Sequence, residues 1–254
     1  MEFDGYSSRG HRFLPEYMLV KHANNENEIQ HALSQPYTFF GNGNQCFVYL
    51  SQDGEYILKL FKERFHFPHT WLAKLPLATK LLPYLQHKQE LGAQKYAKAF
   101  AGHVLASTEL WEETALLYVH LAPTNSFSDK LEVRDRLGIP HALSLNGIPF
   151  LLQKKAVLTK DYFSMLLSEG AMEKMQKAIE SLIALIKIRI DHFIHDEDFN
   201  PGTNFGFVED RAVFIDPGRF TKFPLGIDRK QEDENLEKKM RLWAIAQCGT
   251  LPSY

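Results

Sequence analysis

From residue 172 to about 192 the chain places Met175, Ile179, Leu182, Ile183, Ile186 and Ile190 at helical spacing. It then runs without a linker into Ile194-His195-Asp196-Glu197-Asp198-Phe199-Asn200-Pro201-Gly202-Thr203-Asn204. An amphipathic helix accounts for the first stretch, and the Asn, Pro and Gly of the second forbid its continuation. Two strand-like runs follow, at 205–208 and 212–215, about the turn Glu209-Asp210. Directly after them stands Asp216-Pro217-Gly218. The hairpin is long enough to return Asp216 to the acidic loop it came from. That order of helix, acidic loop, hairpin and returning aspartate restricts the second half of the chain more than any other feature.

The first half has the opposite character. Runs rich in aromatic and β-branched residues at 37–40, 46–50 and 56–61 are separated by Gly41-Asn42-Gly43-Asn44 and by Gln52-Asp53-Gly54. They predict three consecutive antiparallel strands. The glycines of the first turn let a backbone approach a polyphosphate without Cβ atoms in the way, although an ordinary Asn-Gly hairpin turn would use the same residues. In the third strand, alternation sets Ile57, Lys59 and Phe61 on one face and Leu58 and Leu60 on the other. Lys59 is thus flanked by apolar residues, and its ammonium must either reach water or meet an anion. Prolines at 68, 76 and 83 mark an irregular link. A helix is expected at 86–112, with Leu91, Ala97, Ala101, Leu105 and Leu110 near one face, then strands at 115–121 and 149–157. Short and long helices at 160–167 and 172–192 and a final helix at 232–246 complete the reading. The polar lead-in, with NNENE at 24–28, is expected to be loosely held apart from one short helix. Strands first and helices later make an α+β chain.

Taken together, the glycine turn 41–48, Lys59 in Ile57-Leu58-Lys59-Leu60, and the segment from His195 to Gly218 resemble the protein-kinase-like superfamily. The likeness is to its compact bacterial branch of aminoglycoside phosphotransferases and lipopolysaccharide kinases. It implies a two-lobed fold with a strand-rich N-terminal lobe and a short helical C-terminal lobe. The corresponding division is an extension at 1–36, an N-lobe at 37–157 and a C-lobe at 158–254. It further implies ATP and Mg²⁺ as cofactors, with Gly41 and Gly43 beside the phosphates and Lys59 as their clamp. Asp198 would be the catalytic carboxylate, and Asn204 and Asp216 the metal ligands. Asp196 is the alternative catalytic carboxylate, because the loop from Asp198 to Asn204 is one residue longer than the family's. Glu90 is the first choice for the helix partner of Lys59, and Glu109 the second. Gln153, Lys154 and Ala156 would lie on the hinge strand that meets the adenine edge. Cys46 stands where the third glycine of the family's loop belongs, Pro217 interrupts its Asp-Phe-Gly, and 36 residues follow Gly218. Three activities fit: phosphate transfer to a hydroxyl, AMP transfer, and a pseudokinase that only binds or scaffolds.

Composition narrows the partners. A formal net charge of -2 offers no global positive field for nucleic acid. The two cysteines, Cys46 and Cys248, are far apart and form no CxxC, which fits a reducing cytoplasm, with delivery into another cell left open. The first residues lack the apolar core of a secretory signal, and the most apolar helix carries Lys187, Arg189 and Asp191, so no membrane span is expected. His192, His195, Asp196 and Asp198 form a second, weaker candidate as a transition-metal cluster at a helix end.

Overall fold

A computed structural model describes residues 2–3, 6–7, 13–43, 45–62, 78–224, 226 and 228–248. The link bearing Pro68 and Pro76, and Asn44 of the glycine turn, lie outside them. The chain forms two compact units, one of residues 1–100 and 118–152, the other of 101–117 and 153–254.

The first unit carries β1 (Glu2–Phe3), β2 (Tyr6–Ser7), β3 (Val20–His22), α1 (Glu26–Leu33), β4 (Tyr37–Asn42), β5 (Cys46–Ser51) and β6 (Tyr56–Phe61). Next come most of α2 (Ala78–Glu109), then β7 (Leu116–His120), β8 (Leu131–Arg134), β9 (Pro140–Leu143) and β10 (Phe150–Lys154). Its sheet has the order β3-β7-β10-β6-β5-β4-β8-β9. The three strands expected at 37–61 are β4, β5 and β6, paired antiparallel in sequence. All six residues of β6 are buried, so both faces of this strand are covered. Asp53 fixes the turn from β5 to β6. Its carboxylate accepts from Ser51 Oγ at 2.6 Å, Gln35 Nε2 at 2.8 Å and the Glu55 N–H at 3.0 Å, and Gly54 takes a φ of 79° that a side chain would oppose. Burial pushes the Asp53 carboxyl up, but these bonds and His31 outweigh it and hold the pKa at about 2.

Three expectations are corrected here. The lead-in holds β3 as well as α1, whose cap is Asn25: its side chain accepts from the Glu28 N–H at 3.2 Å. The hairpin β8–β9 was not anticipated. It rests on Asp135, which accepts from the Leu137 and Ile139 N–H groups at 2.9 Å each and contacts His141 at 2.8 Å. Helix α2 starts at Ala78 and runs through Pro83, near enough to its start that few backbone bonds are forfeited. Its buried residues include Ala99, Phe100, Gly102, His103, Ala106 and Ser107. Of the expected stripe, Leu110, just past the helix, is buried and Leu105 packs against the core, while Leu91 is exposed.

The second unit holds β11 (Val157–Leu158), α3 (Thr159–Ser168), α4 (Met172–Asp191), β12 (Ile194–Asp196), β13 (Phe205–Val208), β14 (Arg211–Phe214), β15 (Phe220–Lys222) and α5 (Arg229–Cys248). Its core joins Leu182, Ile186 and Ile190 of α4 to Phe163, Phe205, Phe207, Phe214 and Met240. Each such side chain contributes roughly 1.5–3 kcal/mol on burial. Helix α4 spans the apolar stripe as expected, and Phe193, at a φ of 57°, turns the chain out of the helix into β12. The strand-rich first part and helix-bearing second part make the fold α+β. Among the described residues no helix is long and apolar enough to cross a membrane.

Candidate functional site

The acidic loop of the second unit is folded by its own polar groups. β12 pairs antiparallel with β15, setting Asp196 opposite Phe220. The Asp196 carboxylate accepts the Asp198 N–H at 2.9 Å, and Asn200 Oδ1 accepts the Gly202 N–H at 3.2 Å. The Asn200 carbonyl receives both the Thr203 N–H at 3.3 Å and the Asn204 N–H at 3.0 Å. This single helical turn takes up the extra residue between Asp198 and Asn204.

Asn204 then ties the loop together. Its Nδ2 donates to the Asp198 carbonyl at 2.7 Å, and its own carbonyl accepts from Ile215 N at 2.8 Å and Asp216 N at 3.5 Å. Asp198 and Asp216 are thus both joined to Asn204 through their main chains. Asp198 and Asp216 are exposed, whereas Asp196 is only 9% accessible. Burial pushes the Asp196 carboxyl up, against the pull of the Arg189 charge. A buried carboxylate already accepting a main-chain N–H is poorly placed to meet an acceptor, and an exposed one is well placed.

The returning Asp216 is set by missing atoms. A Cβ added at Gly102 of α2 would lie 2.6 Å from the Pro217 carbonyl oxygen and 2.9 Å from Gly218 C. Only glycine lets the helix backbone approach the Asp216-Pro217-Gly218 turn so closely. Gly206 does the same beneath β11, where a Cβ would stand 2.6 Å from the Val157 carbonyl oxygen and 3.1 Å from Ala156 Cβ. Neither glycine stood out in the sequence, because close approach has no local signature.

Asn204 Oδ1, which accepts from Thr203 Oγ1 at 3.2 Å, and the Asp216 carboxylate, which accepts the Gly218 N–H at 3.3 Å, are hard oxygen donors. With Asn204 Nδ2 committed to Asp198, its amide oxygen faces the other way. This donor set fits Mg²⁺ better than a transition metal. The histidine alternative is not supported by its geometry: His192 Nδ1 lies 3.5 Å from Glu109 and His195 Nδ1 lies 3.4 Å from Glu232. Among the described residues no group of three or more His, Cys, Asp or Glu is arranged to hold a metal.

The glycine turn belongs to the first unit. Gly41 pairs with Val48 across a bulge in β4, and Val48 in turn pairs with Lys59. Neither Gly41 nor Gly43 has a positive φ, so the turn itself does not require them. Among the described residues, nothing lies within 4 Å of a Cβ added at Gly41, and one added at Gly43 would meet the Cys46 carbonyl at 3.5 Å. Cys46 is buried and Lys59 is 7% accessible. A second buried lysine was missed. Lys62 donates Nζ to the Gly43 carbonyl, donates its N–H to the Gln45 carbonyl at 2.8 Å, and stands 4.8 Å over the Phe47 ring. In sequence it reads as the polar end of a strand.

The remaining candidates have defined positions. Glu90 is exposed on α2. Both Glu109 oxygens are engaged, one by Lys222 Nζ at 3.3 Å and one by His192, and Lys222 followed by His192 holds this carboxyl below its usual range. Gln153 is buried and donates Nε2 to the Thr114 carbonyl at 2.9 Å, the Lys154 N–H donates to the Ala115 carbonyl at 3.0 Å, and Ala156 packs over Gly206.

No protein-family model matches the chain, and a search of curated proteins finds no match. Several solved structures are similar to it at low identity. A crystal structure of WbdD is 15% identical over 85% of this chain and 39% of that one, with a TM-score of 0.42. A second structure, described as the bifunctional kinase-methyltransferase WbdD, is 16% identical over 82% and 36%, with a TM-score of 0.39. The complex of Rv3197 with erythromycin, from Mycobacterium tuberculosis, is 12% identical over 83% and 55%, with a TM-score of 0.35. The chain thus spans about two fifths of the WbdD chains and just over half of the Rv3197 chain.

Proposed function

We propose that this protein is an ATP-dependent phosphotransferase acting on a hydroxyl acceptor. The observation that carries the reading is the bonded set Asp198, Asn204 and Asp216, in which Asn204 links the loop through its side-chain amide and the returning chain through its main-chain carbonyl. Asp198 accepts the proton of the acceptor hydroxyl and aims its oxygen at the transferred phosphorus. Asn204 Oδ1 and the Asp216 carboxylate would hold Mg²⁺. The metal, when bound, neutralises charge that develops on the phosphate oxygens. Lys59 adds a fixed positive charge for the phosphates, and the open backbone at Gly41 and Gly43 admits them closely. Gln153, Lys154 and Ala156 would serve as the hinge that meets the base.

A second reading, a nucleotide-binding module without turnover, draws on Cys46, whose buried side chain fills the position of the family's third glycine. The test is a thermal-shift titration with ATP and Mg²⁺, Mn²⁺ or no metal, on wild type, Lys59→Ala and Asp216→Asn. Metal-dependent stabilisation of the wild type that is lost in both variants is expected, since each loses a charge-assisted contact worth about 1.5–3 kcal/mol. Equal shifts in all three proteins would overturn the assignment. Transfer assays with label in the γ- or the α-phosphate separate phosphate transfer from AMP transfer and from none.

A further inference from the structure

Arg189, in the last turn of α4, is 1% accessible and is among the largest fully buried side chains. Its Nη1 donates to the Ile194 carbonyl at 3.4 Å, and its guanidinium lies 5.6 Å from the centre of the Phe220 ring. Nε and Nη2 make no hydrogen bond to any described residue. A cation placed there needs opposing charge, because the desolvation cost is several kcal/mol per ion. The charges acting on it are those of Asp196 and Glu232. Of these, Asp196 sits on β12 opposite Phe220, the residue whose ring Arg189 faces. The Asp196 carboxylate in turn accepts the Asp198 N–H at 2.9 Å. Asp198 is held from its other side by Asn204 Nδ2 at its carbonyl.

We propose that Asp196 and Arg189 form a buried positioning pair that fixes the main chain of Asp198, so that Asp196 aims the catalytic carboxylate and does not itself act as the base. This rests on the phosphotransferase reading of Asp198. Helix α4 sets Arg189, the Arg189 charge opposes the upward pull of burial on the Asp196 carboxyl, and Asp196 clamps the peptide that precedes the Asp198 side chain. The site is thereby built from a rigid helix through two buried groups, which loop residues alone would not achieve.

The test uses Asp196→Asn, Asp196→Ala and the double variant Asp196→Ala/Arg189→Met on the full chain. Asparagine keeps an acceptor for the Asp198 N–H, so kcat should fall less than about tenfold, with KM for ATP unchanged. Alanine removes the acceptor, and kcat should fall about 10²-fold through misplacement alone. Where Asp196→Ala leaves Arg189 uncompensated and unfolds the protein, the double variant removes the cation and restores the fold. Turnover should nevertheless stay low, because the clamp is still missing. A double variant that regains both stability and wild-type kcat would overturn the proposal and leave the pair merely structural. Loss of turnover in Asp196→Asn equal to that in Asp198→Asn would also overturn it, by making Asp196 the base. If the wild type itself transfers nothing, the phosphotransferase reading fails, and amide exchange at Asp198 still decides the clamp. Protection lost in Asp196→Ala and retained in Asp196→Asn supports it, and protection unchanged in both refutes it.

Discussion

Gly102→Ala separates what holds this fold together from what places its candidate metal ligand. The added Cβ would stand 2.6 Å from the Pro217 oxygen, against the 3.4 Å at which ordinary contact begins, so the turn must retreat by about 0.8 Å. Backbone atoms are the obstacle, and no side-chain rotation relieves them. Overpacking of this kind costs about 1–3 kcal/mol. Replacing glycine in a helix interior returns about 1 kcal/mol, leaving a net loss of roughly 0–2 kcal/mol. Global stability therefore changes little, while a shift approaching 1 Å at Asp216 is enough to cost about 10²-fold in turnover. Denaturant unfolding and calorimetric titration with Mg²⁺-ATP measure the two effects on the same samples. The expected outcome is a near-normal midpoint with strongly weakened, metal-dependent binding. A variant stabilised by the full 1 kcal/mol, with unaltered affinity, would refute the claim that this contact positions the turn.

Asp198→Asn should leave nucleotide binding intact and lower turnover by about two to four orders of magnitude, read in a coupled transfer assay. Gly206→Ala should lower the unfolding midpoint more than Gly102→Ala, since its Cβ would strike the Val157 carbonyl inside a strand pairing with little helix propensity to offset it. Asp53→Asn should destabilise the protein by about 1 kcal/mol near neutral pH, after allowance for solvent screening. Because the Asp53 pKa is lowered from 3.8 to about 2, that difference is fully present above the ordinary carboxylate value and vanishes as pH falls through about 2. Denaturation of both proteins across that range checks the sign, and a gap that widens in acid would contradict it.

The strands β4 to β6, the helices α3 and α4 and the hairpin β13–β14 were legible because alternation and helical period are written in the residues that form them. The grouping of Asp198, Asn204 and Asp216 was legible for a related reason, since a short hairpin leaves few places for Asp216 to go. Which of Asp196 and Asp198 is buried was not legible, because two carboxylates two residues apart look alike until the pairing of β12 with β15 sets one of them opposite Phe220. The face of α2 was only partly legible, because Ala99, Gly102 and Ala106 share it with Phe100, and the value of the small residues lies in their size. The hairpin β8–β9 escaped because Pro140 and a charged turn mask its alternation, and Asp135 supplies the order that the sequence pattern lacks.

The attachment of Lys62 to the Gly43 and Gln45 carbonyls has a thermodynamic consequence. A glycine-rich turn that waves freely must surrender conformational entropy when it closes on an anion, and that loss is subtracted from affinity. Here the turn is tethered at two carbonyls by one residue just past β6, whose ammonium also stands over the Phe47 ring. Most of its ordering was completed when the sheet folded. An anion received by this turn would then bind with a smaller entropic penalty than the glycines alone suggest, and temperature would alter its affinity correspondingly less.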